Sequence, residues 1–209
     1  MHLLNFKMKK TPIYLLTAIL LFATYWFFLR SKPTKTPEAV SILLKKHSPA
    51  FNQSISNVIN EYLAIKDAFV EGDTNIIKSK TSNFIKLLDN IDTVELKKDS
   101  ASIFATVISA INDVRSNAES ILVQTDITEM RKDFSSLTEM MFPSFFYAIK
   151  YEGPTLYLQN CPMAIDDSIP ANWISNSQEI LNPYLGRNHH DYKATMLHCG
   201  EVKDSITAK

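Results

Sequence analysis

Cysteine and methionine occur side by side at two places near the end of the chain. Cys161 and Met163 are two residues apart, and Met196 and Cys199 are three residues apart. Thiolates and thioethers are soft ligands that select Cu(I) over hard cations, and zinc is a lesser candidate if a histidine joins them. An extended first segment points Cys161 and Met163 to one face, and a turn at 196–199 can bring the second pair there. These four residues predict a soft-metal site.

Three histidines lie near the second pair and can each supply an imidazole ligand. His198 is next to Cys199, and His189 and His190 precede Asp191 in what reads as a loop. Exposed loop histidines are more often solvated than bound to a metal. The spacing of the cysteines matches neither a zinc-ribbon motif nor a haem-attachment motif. The residue types therefore indicate a metal site, but they do not indicate how its ligands are arranged around the ion.

The same two cysteines also fit a purely structural role. In an oxidising compartment, a disulfide between Cys161 and Cys199 would stabilise the fold by about 4 kcal/mol in the chain-entropy model. Met163 and Met196 would then be packing residues. In that case the protein would be an interaction module that binds no metal, with Trp173 and Tyr184 packing in the C-terminal region or contacting a partner. From residue types alone, the disulfide and the metal site are equally supported.

Composition excludes several other functions. The chain has only 4 glycines, none close together, which removes the glycine-rich nucleotide-binding motifs. The first 36 residues hold six basic and no acidic residues, which leaves 16 of 22 basic residues against all 22 acidic ones in the remainder. An acidic body lacks the positively charged surface that nucleic-acid binding requires. No oxyanion-hole or glycine signature accompanies the cysteines, so we do not expect an enzyme, and we expect neither nucleotide nor haem.

The N-terminal region reads as a membrane segment. Residues 13–29 are uncharged and largely apolar, with lysines before them and Arg30 immediately after. This pattern predicts a single transmembrane anchor in the inner membrane, with 1–12 as a cytoplasmic n-region and the body in the periplasm. The alternative is a cleaved signal sequence that releases the body into the periplasm. The proline-containing stretch 30–49 is typical of a linker.

Residues 50–151 show helical periodicity in four runs joined by short connections. Asp73 can cap the second run, Asp99 or Ser100 the third, and Thr125 or Asp126 the fourth. Short connections favour an up-down four-helix bundle, and Pro143 should kink the last helix. The fold class predicted is therefore mainly all-α, preceded by the transmembrane helix.

Helical periodicity ends after residue 151. Residues 152–209, which we call the cap, are rich in turn residues and short apolar pieces. Alternation predicts a short strand at 155–160, with others possible at 173–175 and 195–198. We expect a small irregular or β-containing cap packed on the bundle.

The cap also resembles a known family. The resemblance rests on the order of Tyr157-Leu-Gln-Asn-Cys161-Pro-Met163, Trp173-Ile-Ser175, Asn182-Pro-Tyr184 with Gly186, and Met196-Leu-x-Cys199-Gly200. The bundle adds Tyr62 to Phe69, Asp73, Arg131, Phe134 and Leu137, so that 54–206 are covered. The chain is similar to a bacterial domain of unknown function that occurs alone in envelope proteins or is fused to the C-terminus of CusB-type heavy-metal efflux adaptor subunits.

The resemblance implies a role in envelope metal handling, with an efflux adaptor or pump as partner. It carries the ligand positions over to Cys161, Met163, Met196 and Cys199, and it favours metal over a plain disulfide. The chain departs from the family at 187–195, a longer stretch that includes His189, His190 and Asp191. The resulting hypothesis is a membrane-anchored periplasmic Cu(I)-binding protein that is accessory to heavy-metal efflux or homeostasis.

Overall fold

The computed structural model describes residues 25, 47–98 and 101–208. The predicted n-region 1–12, nearly all of the predicted transmembrane helix 13–29 and most of the linker 30–49 lie outside these residues. Within the described part, no helix has both the length and the apolar character needed to cross a bilayer. The prediction of an N-terminal transmembrane helix is therefore not supported.

In the described residues, four long helices precede the cap. They are α1 (Pro49–Glu71), α2 (Thr74–Asp89), α3 (Ala101–Val123) and α4 (Ile127–Met140), with a 3-10 turn at Glu95–Lys98 between α2 and α3. Helices α1 and α2 pack together, as do α2 and α3, and α3 and α4. Each buries the apolar stripe that its 3.6-residue period creates.

Side-chain caps fix two of the helix starts. The Asp73 carboxylate accepts hydrogen bonds of 3.0 Å from the backbone N–H groups of Asn75 and Ile76. Asp126 does the same for the first turn of α4. Each cap satisfies N–H groups that have no partner within the helix, so the helix begins at a defined residue. The predicted cap at Asp99 or Ser100 lies outside the described residues.

Phe134 of α4 lies at the centre of the core. Its ring centroid is 4.7 Å from that of Phe69, 5.4 Å from Tyr62 and 5.9 Å from Tyr184. Tyr62 and Phe69 belong to α1, whereas Tyr184 belongs to the cap. Aromatic pairs at these separations stabilise beyond their buried area. The bundle and the cap therefore share one hydrophobic core.

The end of helix α4 is irregular. It continues into a π-helical stretch, Met141–Phe145, and a helical turn, Phe146–Ala148. Phe142, directly before Pro143, leaves the helical region with φ −110° and ψ 126°. A residue before proline is disfavoured in the α conformation because the proline ring crowds its backbone. The predicted kink at Pro143 is confirmed.

The cap contains a three-stranded antiparallel sheet, so the predicted fold class was wrong. The strands are β1 (Leu156–Ile165), β2 (Ile169–Ser175) and β3 (Glu201–Ile206), in the order β2-β1-β3. The described chain is a helical bundle plus an ordered sheet, and not the mainly all-α protein with an irregular or β-containing cap and an N-terminal transmembrane helix that the sequence predicts. The predicted strand at 195–198 is also wrong, because those residues form turns.

The predicted strands at 155–160 and 173–175 correspond to β1 and β2, but the sequence predicted both too short and missed β3, for two local reasons. Strand β1 continues through Pro162, an exposed residue next to an irregularity in the β1–β2 register between Cys161 and Ile165. Proline normally marks the end or edge of a strand. Strand β3 is exposed along its length except for Ile206. Its alternation therefore lacks the apolar face that predicts a strand, and its charges are typical of a protected edge.

Candidate metal-binding site

Cys161 is positioned by the central strand of the sheet. It is completely buried and pairs with Ala171 of β2. The pairing with β2 at Cys161, and with β3 at the preceding Asn160, holds the backbone of this residue in place. Cysteine is among the residue types most often fully buried, and burial alone does not indicate reactivity.

Cys199 is presented by a series of turns. Its N–H donates to the carbonyl of Met196 at 3.0 Å. The buried side chain of Asn182 holds the same segment, because its Nδ2 donates to the Cys199 carbonyl at 2.9 Å. The Asn182 N–H donates to the carbonyl of Leu197 at 2.8 Å. These bonds fix the backbone on both sides of His198.

Gly200 allows this segment to approach β1 closely. Its φ of +141° is disfavoured for residues with a side chain. A Cβ at this position would lie 2.7 Å from the carbonyl oxygen of Asn160 and 2.8 Å from the Trp173 ring. Because Asn160 directly precedes Cys161, the close approach brings the 196–199 turns next to the first cysteine.

The structure brings the two thiols into contact. Cys161 and Cys199 are both free, and their side chains are close neighbours. Desolvation raises the pKa of the Cys199 thiol, and its interaction with the neighbouring Cys161 thiol raises it further. The Cys199 thiol is therefore protonated at neutral pH when no metal is bound. A metal that binds it must displace protons, as thiol ligands generally require.

The two methionines lie in the same part of the cap. Met163 and Met196 are both half-buried, and both pack against the hydrophobic core. Along β1, Cys161 is buried, Pro162 is exposed and Met163 is half-buried. This alternation agrees with Cys161 and Met163 sharing a face of the strand.

The histidines are placed differently. His198 is exposed, and its Nδ1 lies 2.8 Å from the carbonyl oxygen of Ile180. His189, His190 and Asp191 form a group whose potential ligand atoms all lie within 4.8 Å of one another. Neither cysteine belongs to that group. Burial, followed by the positive charge of Arg131, lowers the pKa of His189.

Trp173 and Tyr184 are buried packing residues. Both are completely inaccessible to solvent, and their rings meet edge to face with centroids 6.1 Å apart. The Tyr184 hydroxyl donates to the carbonyl of Asn172 at 2.5 Å. In the described cap, these two rings therefore contribute to the core and do not form a surface for a partner.

Sequence reasoning missed one residue of this region, Gln159. It is completely buried on β1, two positions before Cys161 and directly opposite Trp173. Its Nε2 donates to the carbonyls of Ser177 and Glu179 at 2.9 and 3.0 Å, which fixes the orientation of the amide. The two-residue spacing from Cys161 was the signal that could have found it.

Two buried polar atoms on this face of the sheet have no hydrogen-bond partner among the described residues. They are Oε1 of Gln159 and Nε1 of Trp173. Most buried polar groups in proteins are hydrogen-bonded, and an unsatisfied one costs about 1–3 kcal/mol. The face that carries the Cys161 thiol is therefore more polar than a packed core requires.

Residues 58–146 match the model of a protein family of unknown function (DUF3347). The match covers most of α1, all of α2 to α4 and the segment that follows them, but it ends before β1. It agrees with the predicted resemblance to a domain of unknown function, while the cap motif and the fusion to efflux adaptors stay predictions. No curated protein and no solved structure matches the chain.

Proposed function

We propose that the cap binds Cu(I) through the thiols of Cys161 and Cys199. The observation that carries the proposal is that two free thiols from distant parts of the cap are close neighbours. Two sulfur ligands that are already neighbours need little rearrangement to bind one ion. Thiolates favour soft ions such as Cu(I). Zinc is a weaker candidate because, within the part of the chain that the structure describes, neither cysteine belongs to a group of potential ligands that includes a histidine.

The two thioethers complete the proposed ligand set. Met163 and Met196 are neutral and do not titrate, so they can bind Cu(I) and release it without a proton. Each thiol, in contrast, gives up a proton to solvent when its sulfur bonds the metal. The half-buried methionines lie closer to the surface than Cys161, which suits exchange of the ion with a partner.

The role that follows is binding and transfer, not catalysis. We propose that the protein is an accessory of heavy-metal homeostasis in the cell envelope, which hands its ion to an efflux adaptor or pump. The sequence resemblance to domains fused to such adaptors supports this part of the proposal. The second candidate is an envelope interaction module that is stabilised by a Cys161–Cys199 disulfide. The complete burial of Cys161 supports it.

A thiol count and an anaerobic Cu(I) titration distinguish the two candidates. The purified protein is titrated before and after reduction against a chelator that competes for Cu(I). We expect two free thiols and one tightly held Cu(I), which is lost in Cys161→Ser and in Cys199→Ser. His198→Ala is the matched control, because it alters an exposed neighbour of Cys199 and should leave the affinity unchanged. Absence of free thiols, with no competitive copper binding after reduction, would establish the disulfide.

A further inference from the structure

A closed turn holds His189, His190 and Asp191 together. The Lys193 N–H donates to the His189 carbonyl at 2.9 Å, so the chain reverses direction within five residues. The imidazole rings of His189 and His190 lie with their centroids 5.0 Å apart. His190 Nε2 is 2.8 Å from the Asp191 carboxylate. Three consecutive side chains therefore converge, which an extended chain would not allow.

The base of this turn is attached to the end of α1. The N–H of Arg187 donates to the carbonyl of Val70 at 2.7 Å, and Nδ2 of Asn188 donates to the carbonyl of Glu71 at 2.7 Å. The Arg187 side chain also pairs with the Glu71 carboxylate at 2.9 Å. The turn is thus held by the bundle and not only by its own contacts, which lowers the entropy lost when a ligand binds.

The donor atoms of this group differ in kind from those of the thiol pair. Two imidazoles and one carboxylate suit borderline divalent ions such as Zn(II) or Cu(II), whereas the thiols suit Cu(I). Zinc ligands lie about 2.0–2.2 Å from the ion, and therefore roughly 3.3 Å from one another. The ligand atoms are already within 4.8 Å of each other. His190 and Asp191 are exposed and can close the remaining distance by small rotations.

We propose that His189, His190 and Asp191 form a second metal site, which binds a divalent transition-metal ion from solution. Three protein ligands leave at least one position open to water, so the ion stays accessible and exchangeable. The site shares no ligand with the Cys161–Cys199 pair and does not depend on copper binding there. It assigns a function to the stretch 187–195, by which the chain departs from the family that it resembles.

The test is a calorimetric Zn(II) titration of the full chain carrying Cys161→Ser and Cys199→Ser, so that no thiol contributes. We expect one bound Zn(II). His190→Ala and Asp191→Asn should each weaken binding by at least about tenfold, since even the outer partners of metal ligands are worth about 10–100-fold. His198→Ala, which removes an exposed histidine outside the group, should bind as its parent does. Equal affinity in His190→Ala would overturn the proposal.

A second measurement needs no substitution and keeps the test decisive if the serine variant does not fold. Imidazole resonances of the wild-type full chain are followed by NMR during the Zn(II) titration. The signals of His189 and His190 should shift together, while those of His198 and His47 should not. Shifts confined to His198, or no shift of the His189 and His190 signals, would contradict the second site and leave the thiol site standing.

Discussion

The hydroxyl oxygen of Tyr62 lies 2.6 Å from that of Thr138 and joins α1 to α4 inside the core. Thr138 donates its own proton to the carbonyl of Phe134 at 3.0 Å, so Tyr62 is the donor in the bond between the two hydroxyls. The Tyr62 oxygen in turn accepts the N–H of Ile174 in β2 at 3.2 Å. Since β2 is an edge strand, this N–H points away from the sheet. One buried hydroxyl thus aligns the sheet with the bundle.

Tyr62→Phe should destabilise the protein. The substitution keeps the ring but leaves the Ile174 N–H and the Thr138 oxygen without their partner, which costs about 1–3 kcal/mol of unfolding free energy. Urea denaturation measures the change. Tyr147→Phe is the control, since Tyr147 is 66% exposed, and its loss of a hydroxyl should change stability by less than about 0.5 kcal/mol. Equal effects of the two substitutions would contradict the prediction.

Stability should fall in alkaline solution because of Tyr62 and Tyr184. Burial raises the pKa of both phenols above the ordinary value of 10.0. The folded pKa values thus exceed the unfolded ones. The stabilisation is complete below about pH 10 and is lost as the pH rises, by up to about 1.4 kcal/mol per pH unit for each tyrosine.

Urea denaturation between about pH 8 and pH 11 tests this dependence. Tyr184→Phe should be less stable than the parent at neutral pH, because it lacks the bond to the Asn172 carbonyl. Its stability should nevertheless decline less steeply above about pH 10, since one titrating group is gone. Tyr147→Phe should keep the slope of the parent. A Tyr184→Phe slope equal to the parental one would mean that Tyr184 does not titrate with unfolding.

The helical part of the fold could be predicted because its determinants are local. Apolar residues recur every three to four positions, and Asp73 and Asp126 mark helix starts within the sequence itself. The sheet could not be predicted in full, because β3 owes its conformation to pairing with β1, some forty residues away. Nothing in the alternation of Glu201–Ile206 distinguishes it from an exposed loop.

The candidate sites could likewise be predicted only in part, because the residue types are visible in the sequence and their contacts are not. Paired sulfur residues are visible in the sequence, but the contact between Cys161 and Cys199 depends on Gly200 and Asn182, which act through distant backbone groups. The histidines looked like candidate additions to the sulfur ligands. The structure instead groups His189 and His190 with Asp191. The hydrogen bond from the Lys193 N–H to the His189 carbonyl closes this turn, and no turn motif in the sequence predicts it.

Gly186→Ala should destabilise the protein strongly. A Cβ at this position would lie 2.8 Å from both the carbonyl carbon and the Cα of Val70, which are backbone atoms of α1 and cannot move aside. The neighbouring bond from Arg187 to Val70 would also be strained. We expect a loss of more than about 2 kcal/mol, measured by urea denaturation.

Gly153→Ala is the matched control for that substitution. The three atoms nearest to a Cβ there all belong to the phenol group of Tyr151, the end of a side chain, which can shift more easily than the backbone of α1. A smaller loss than in Gly186→Ala is expected. Equal stability of the two variants would contradict the close contact between Gly186 and the backbone of Val70 at the end of α1.

Replacing Met163 and Met196 together by leucine should weaken Cu(I) binding while preserving the fold. Leucine keeps the volume of the side chain, so the unfolding free energy should change by less than about 1.5 kcal/mol per site. It lacks the thioether sulfur, and we expect the Cu(I) affinity to fall by at least about tenfold in a chelator competition. Met140→Leu, on the partly exposed surface of α4, is the control and should leave the affinity unchanged. Undiminished affinity in the double variant would restrict the site to Cys161 and Cys199, since a two-coordinate ion between thiolates needs no thioether.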